Sequence, residues 1–188
     1  MVATRTAPVS EQQKYVHALK VEVAVRTYKE SDRIVIARMF EDFQDFLASV
    51  DTLRRLVRKE ALVKERYGNA YLQKTLEKVS SQDGIFYVAE SRGRIVGFVV
   101  GIIIEPSKTE EMELGEKRLH GEILELYLEP RYRGNGLGKK LMETAEAYFK
   151  GKGCKDSTLL VFEPNASAHE FYLRRGYGDR SREMLKVL

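Results

Sequence analysis

Apolar positions along the chain follow two rhythms. Ile36, Met39, Phe40, Phe43, Leu47, Val50, Leu53 and Leu56 recur every three or four residues, the spacing of one helix face. Ser31 and Asp32 supply an N-cap and an acidic first turn ahead of them. The aromatic residues of this helix are read as core. Tyr67, Tyr71, Leu72, Leu76 and Val79 carry the spacing into a second helix over about 62–79. From Gly84 the period drops to two. Residues 85–90 and 94–104 are strands joined by a tight turn containing Gly93, which makes a hairpin. A shorter alternation at 21–26 predicts an earlier strand, and 122–129 (EILELYLE) another, with Leu124, Leu126 and Leu128 on one face.

Helical spacing returns at Leu137, Leu141, Ala145, Tyr148 and Phe149 and closes at Gly151 and Gly153. Residues 158–162 form an apolar strand, after which Asn165 is placed to cap a short helix through Ala168, Phe171 and Tyr172 that ends at Gly176. Residues 184–188 are expected as a last edge strand. Hairpins come first and a strand–helix–strand–helix unit last, so an α+β domain is expected, its sheet mostly antiparallel with one parallel pair and flanked by helices. Residues 1–20, polar and interrupted by Pro8, read as an N-terminal extension to a domain over 21–188.

Composition narrows this little. A hydrophobic share of 43% with 32% charged residues describes a soluble globular chain, and the net charge of +4 allows an anionic ligand without choosing one. Cys154 is the sole cysteine, which excludes an internal disulfide, and no signal-peptide or membrane-spanning run is visible, so a cytoplasmic protein is expected. His17, His120 and His169 lie far apart without cysteine companions, so no metal is expected. Eight glutamates against three Lys or Arg between Glu105 and Glu129 argue against a nucleic-acid face.

The next stretch reverses that balance, with seven Lys or Arg and three Glu between Glu129 and Lys155. Within it, residues 129–140 (EPRYRGNGLGKK) load a predicted helix start with cations, against the helix dipole. A strand, a glycine turn and a helix N-terminus together offer outward backbone N–H groups to an anion. The dinucleotide fingerprint fails, because Lys139 stands where the last glycine counted from Gly134 should be. The Walker pattern also fails: Arg133 occupies its first glycine and Lys140 its Ser/Thr.

What remains, Arg133-Gly134-Asn135-Gly136-Leu137-Gly138, resembles the R/Q-x-x-G-x-G/A loop of the GNAT superfamily of N-acetyltransferases. Residues 165–177 (NASAHEFYLRRGY) resemble that family's second signature, in the right order and about thirty residues on. The resemblance spans roughly 21–188 and implies acetyl transfer from acetyl-coenzyme A (acetyl-CoA) to a primary amine, protein or small molecule, without an acyl-enzyme. It implies pyrophosphate binding by the hexapeptide with Arg131 and Lys139, and pantetheine pairing with the backbone of Leu126, Tyr127 and Leu128, where the N–H of Tyr127 or Leu128 polarises the acetyl carbonyl. Asn165 would contact pantetheine while capping its helix. Lys140 is read as a solvated helix position.

A lysine-like amine, pKa about 10.4, is neutral at pH 7 only at a cost of about 4.6 kcal/mol, so a positioned base is useful. Glu122 and Glu125 are the candidates. In a regular strand they face opposite ways, although a bulge, common here in the family, would change that. Glu122 shares the parity of Leu124 and Leu126 and is expected to be the more buried carboxylate; Glu125 lies closer to the expected acetyl position. Either acts directly or through water, or the free amine is simply taken up. The family resemblance makes Tyr172 the acid that protonates the departing thiolate; a half-buried core phenol is its alternative. A module that holds acyl-CoA as a sensor without turnover is the rival reading. A monomer or homodimer, with no nucleic acid or membrane partner, completes the expectation.

Overall fold

A computed structural model of the 188-residue chain describes residues 23–50, 67–109, 112, 118–182, 184 and 186. It contains β1 (Val23–Thr27), a 3-10 turn (Glu30–Asp32), α1 (Arg33–Val50), α2 (Tyr67–Ser81), β2 (Ile85–Ser91), β3 (Arg94–Ile104), β4 (His120–Leu128), a second 3-10 turn (Pro130–Tyr132), α3 (Leu137–Gly151), β5 (Asp156–Leu159) and α4 (Ala166–Leu173). The strands pair in chain order, antiparallel through β1–β4, and β4 runs parallel to β5. This is the expected α+β sheet with one parallel pair. The N-terminal extension, the segment from 51 to the start of α2, and most of the expected last strand lie outside the described residues.

β3 reads RIVGFVVGIII, an unbroken apolar run, because helices cover both of its faces. On one side α3 packs Leu141, Met142, Ala145 and Phe149 against Val96, Val99 and Ile123. On the other, α1 and α2 pack Ile36, Phe40 and Leu72 against Phe86, Phe98, Val100 and Tyr127. The β2–β3 turn places Arg92 and Gly93 at φ +50° and +73°, the left-handed pair that a tight hairpin needs.

Two boundaries differ from expectation. Ser31 and Asp32 fall inside the 3-10 turn, whose N-cap is Lys29, and Asp32 is buried: its carboxylate accepts from the Lys29 N–H (2.8 Å) and from Arg26 (2.7 and 3.0 Å). The strand expected over 158–162 ends at Leu159, leaving Leu160 79% exposed. The cause is in β4. The β3–β4 register slips between Val100, which faces Glu125, and Gly101, which faces Ile123, so Leu124 is an extra residue. Such a bulge bends its strand, and the β4–β5 ladder stops at Ile123–Leu159, immediately before it.

Gly121 sets the distance between β4 and α3, since a Cβ there would lie 2.3 Å from the Phe149 ring. Gly121→Ala is therefore expected to destabilise by about 1–3 kcal/mol through overpacking, read as a fall of several degrees in Tm by calorimetry.

Candidate active site

Beyond Ile123, no described strand pairs with the outer edge of β4. Which amides face that gap follows from the ladder. The Glu129 N–H donates to the Val96 carbonyl at 3.0 Å, so in antiparallel alternation Tyr127 also turns its N–H toward β3, while Leu126 and Leu128 turn theirs outward. Of the two amides the sequence offered for a carbonyl, Leu128 faces the gap and Tyr127 does not. The outward carbonyl of Leu128 is already used: it accepts from Arg133 Nε at 2.9 Å, and the Arg133 guanidinium lies 5.9 Å from the centre of the Phe46 ring of α1.

The glycine turn follows at the end of this edge. Gly134 and Gly136 take φ of +77° and +76°, and nothing lies within 4 Å of where a Cβ would stand at either. Gly136 is the N-cap of α3 and provides no side-chain cap, so the first N–H groups of that helix, from Leu137 through Lys139, point into the same open space. Gly138 packs closely instead, a Cβ there reaching Leu128 and Phe171 at 3.4–3.6 Å, which ties α4 to the turn. The cations are held loosely. Arg131, exposed, pairs with the half-buried Glu129 (2.9 Å), and Lys139 pairs with Glu143 (3.7 Å) at exposed positions where an ion pair contributes little. The Asn135 side chain donates to the Arg133 carbonyl at 3.4 Å. Lys140 is not merely solvated: its Nζ donates to the Val23 carbonyl at 2.7 Å, tying α3 to β1.

The bulge also decides the carboxylates. Gly121 and Ile123 face α3, so Glu122 and Leu124 face α1 and α2. The extra residue then puts Glu125 on that same side, where the Tyr71 hydroxyl of α2 donates to Glu125 Oε1. The expectation of opposite faces fails for this reason, and both carboxylates are half-buried. Burial pushes Glu125 up to about 7, opposed by the Tyr71 hydrogen bond and the Lys78 charge. Burial first, then Tyr177 and the charge of Glu125, raises Tyr172 to about 12. Among the described residues the Tyr172 hydroxyl takes no hydrogen-bond partner, and its ring packs against Phe171 and Tyr177 at 5.2 and 5.9 Å. Asn165 caps α4, its Oδ1 accepting from the Ala168 N–H at 3.4 Å, which leaves the amide nitrogen for another partner.

The structure thus gathers Glu125, the β4 edge and the glycine turn along one strand and its exit, with Tyr172 near enough to feel Glu125. Tyr71 escaped the sequence reading. Its only signal was a tyrosine on a core-facing helix position, whose hydroxyl needs a partner once buried. Among the described residues no cluster of three metal-ligating side chains occurs, and no helix is long and apolar enough to cross a membrane.

Comparison with known proteins follows this geometry. Residues 49–177 match the model of the acetyltransferase (GNAT) family. A Methanocaldococcus jannaschii protein named an uncharacterized N-acetyltransferase is 31% identical over 74% of this chain, which spans 58% of that relative's own length. Spermidine N(1)-acetyltransferase of Thermoplasma acidophilum is 27% identical over 63% of the chain and 66% of that protein. The crystal structure of the PaiA N-acetyltransferase from the same organism, in complex with coenzyme A, shares the fold at a TM-score of 0.66 and 20% identity, over 86% of this chain and 93% of that one.

Proposed function

Because the chain belongs to the GNAT acetyltransferase family, we propose that it transfers an acetyl group from acetyl-CoA to a primary amine by direct attack of that amine. The observation that carries the reading is Glu125. It is a half-buried carboxylate poised near neutral pH at the bulge where the open edge of β4 begins. A proton acceptor is most useful when its pKa lies near the working pH, because it is then both available and basic enough.

The residues present fit the cosubstrate. The open turn at Gly134 and Gly136 leaves backbone amides free to meet a pyrophosphate, with Arg131, Arg133 and Lys139 as its cations. Leu126 and Leu128 offer the amide edge to pantetheine in the manner of an added strand, and the Asn165 amide nitrogen, not used by its own cap, is the further donor for that arm. Acetyl-CoA supplies an activated acyl carbon; the chain's groups move protons around it. Glu125 takes one proton from the acceptor's ammonium and later passes it to solvent. The neutral nitrogen bonds to the acetyl carbon, and the carbon–sulfur bond breaks. Tyr172 gives its proton to the departing sulfur and recovers one from the newly acylated nitrogen, so the net yield is amide, thiol and one proton.

The acceptor class proposed is a cationic amine, polyamines included, as the name of the Thermoplasma acidophilum relative suggests. Tyr172→Phe tests the acid role: kcat is expected to fall about 10–100-fold while acetyl-CoA affinity changes less than twofold. Thiol release and calorimetry measure the two; equal rates in both proteins would remove Tyr172 from the proton path.

A further inference from the structure

Glu125 is held from outside its own strand. Tyr71 lies on α2, 54 residues away in sequence, and its hydroxyl donates to Oε1 of the carboxylate. The tyrosine has little freedom to do otherwise. Its ring packs against Phe40 of α1 at 4.9 Å and against Tyr67, one turn earlier on α2, at 5.5 Å. Phe40 in turn is fully buried against Phe98 of β3 at 4.8 Å. An aromatic column anchored in the sheet therefore aims one hydroxyl at one carboxylate oxygen.

We propose that Tyr71 is a positioning residue for the transfer reaction: by occupying Oε1 it locks the Glu125 carboxylate in one orientation and reserves Oε2 as the atom that accepts the ammonium proton. The proposal rests on Glu125 being the proton acceptor, and it assigns to α2 a part in catalysis that neither glycine loop nor α4 signature contains. Tyr71 itself stays protonated throughout, since burial and the facing carboxylate hold its phenol far above the ordinary range. It is a fixed donor, not a relay. A hydrogen bond donated to the ionised carboxylate favours that form, so Tyr71 opposes the upward push of burial on Glu125.

Among the described residues the other titratable groups facing Glu125 are Tyr67 and Lys78 on α2, Tyr172 on α4 and, on the same side of β4, Glu122. Val100 is the residue opposite on β3. Among the described residues only Lys78 adds a cation, from an exposed position. Removing the Tyr71 hydroxyl therefore leaves, among the described residues, no second donor of comparable strength to take its place.

Tyr71→Phe keeps the ring column and deletes the hydroxyl alone. The test is a carboxyl-carbon NMR titration of full-length protein labelled at glutamate, with Glu125→Gln identifying the resonance and thermal melts confirming that both variants fold. The wild-type Glu125 resonance is expected to titrate near 7 and, in Tyr71→Phe, about one pH unit higher, a tenfold change in proton affinity. The acid limb of kcat/KM should move with it, while the acetyl-CoA Kd stays within twofold. A wild-type Glu125 that titrates below pH 5 would overturn the proton-acceptor reading itself. Titration near 7 that Tyr71→Phe leaves unmoved would overturn the positioning role alone.

Discussion

Replacing Glu125 by glutamine is expected to lower kcat by about 10²–10⁴-fold at pH 8 and to erase the acid limb of the pH–rate profile. Glutamine keeps the shape and still accepts from Tyr71, but it cannot take a proton. In the wild type the limb should fall near pH 7, where burial has set the carboxylate. The same substitution should raise stability at pH 8. The folded pKa lies above the ordinary value, about 7 against 4.5, so the native state binds the proton more tightly than the unfolded chain. Stability is therefore lost as pH rises from about 4.5 to 7 and the full cost is present above that window. A difference of 7 − 4.5 = 2.5 units corresponds to a cost of up to about 3 kcal/mol. Glu125→Gln should accordingly melt several degrees higher than wild type at pH 8 and nearly level with it at pH 4, as read by calorimetry. An enzyme that keeps a destabilising acid at its site trades stability for reactivity.

Gly136→Glu is expected to weaken acetyl-CoA binding at least 100-fold, about 2.7 kcal/mol, in isothermal titration. Two effects add. The residue sits at φ +76°, where a side chain is strained, and the new carboxylate stands at the N-terminus of α3, in the space the account reserves for phosphate. Gly136→Ala carries only the strain and should fall in between. The wild-type turn also explains why Lys139 and Lys140 are tolerated in a first turn, at a cost of a few tenths of a kcal/mol each. Lys140 recovers part of that through the Val23 carbonyl, and Lys139 through Glu143.

What could be read in advance was what the chain encodes locally. The β2–β3 hairpin follows from Gly93 between two β-rich runs, α3 from its periodicity and closing glycines, and the anion turn from three glycines in five positions beside cations. What escaped depends on pairing between distant segments. The extra residue at Leu124 exists only relative to the register of β3, and it turned Glu125 toward α2, shortened β5 and opened the edge of β4 at once. Alternation within EILELYLE could not show it. Tyr71 was hidden for the same reason: as a helix residue it reads as core, and only the bulge brings a carboxylate to its hydroxyl.

If the open edge and Glu125 make one transfer site, thiol release from acetyl-CoA must depend on an amine. The protein is mixed with saturating acetyl-CoA and a panel containing spermidine, an aminoalkyl acid and a lysine-bearing peptide, from pH 5.5 to 9. Thiol release is expected to depend on at least one amine and to rise through pH 7 in wild type but not in Glu125→Gln. Tight acetyl-CoA binding with no amine raising thiol release above the hydrolysis background would contradict it and leave a sensor in its place.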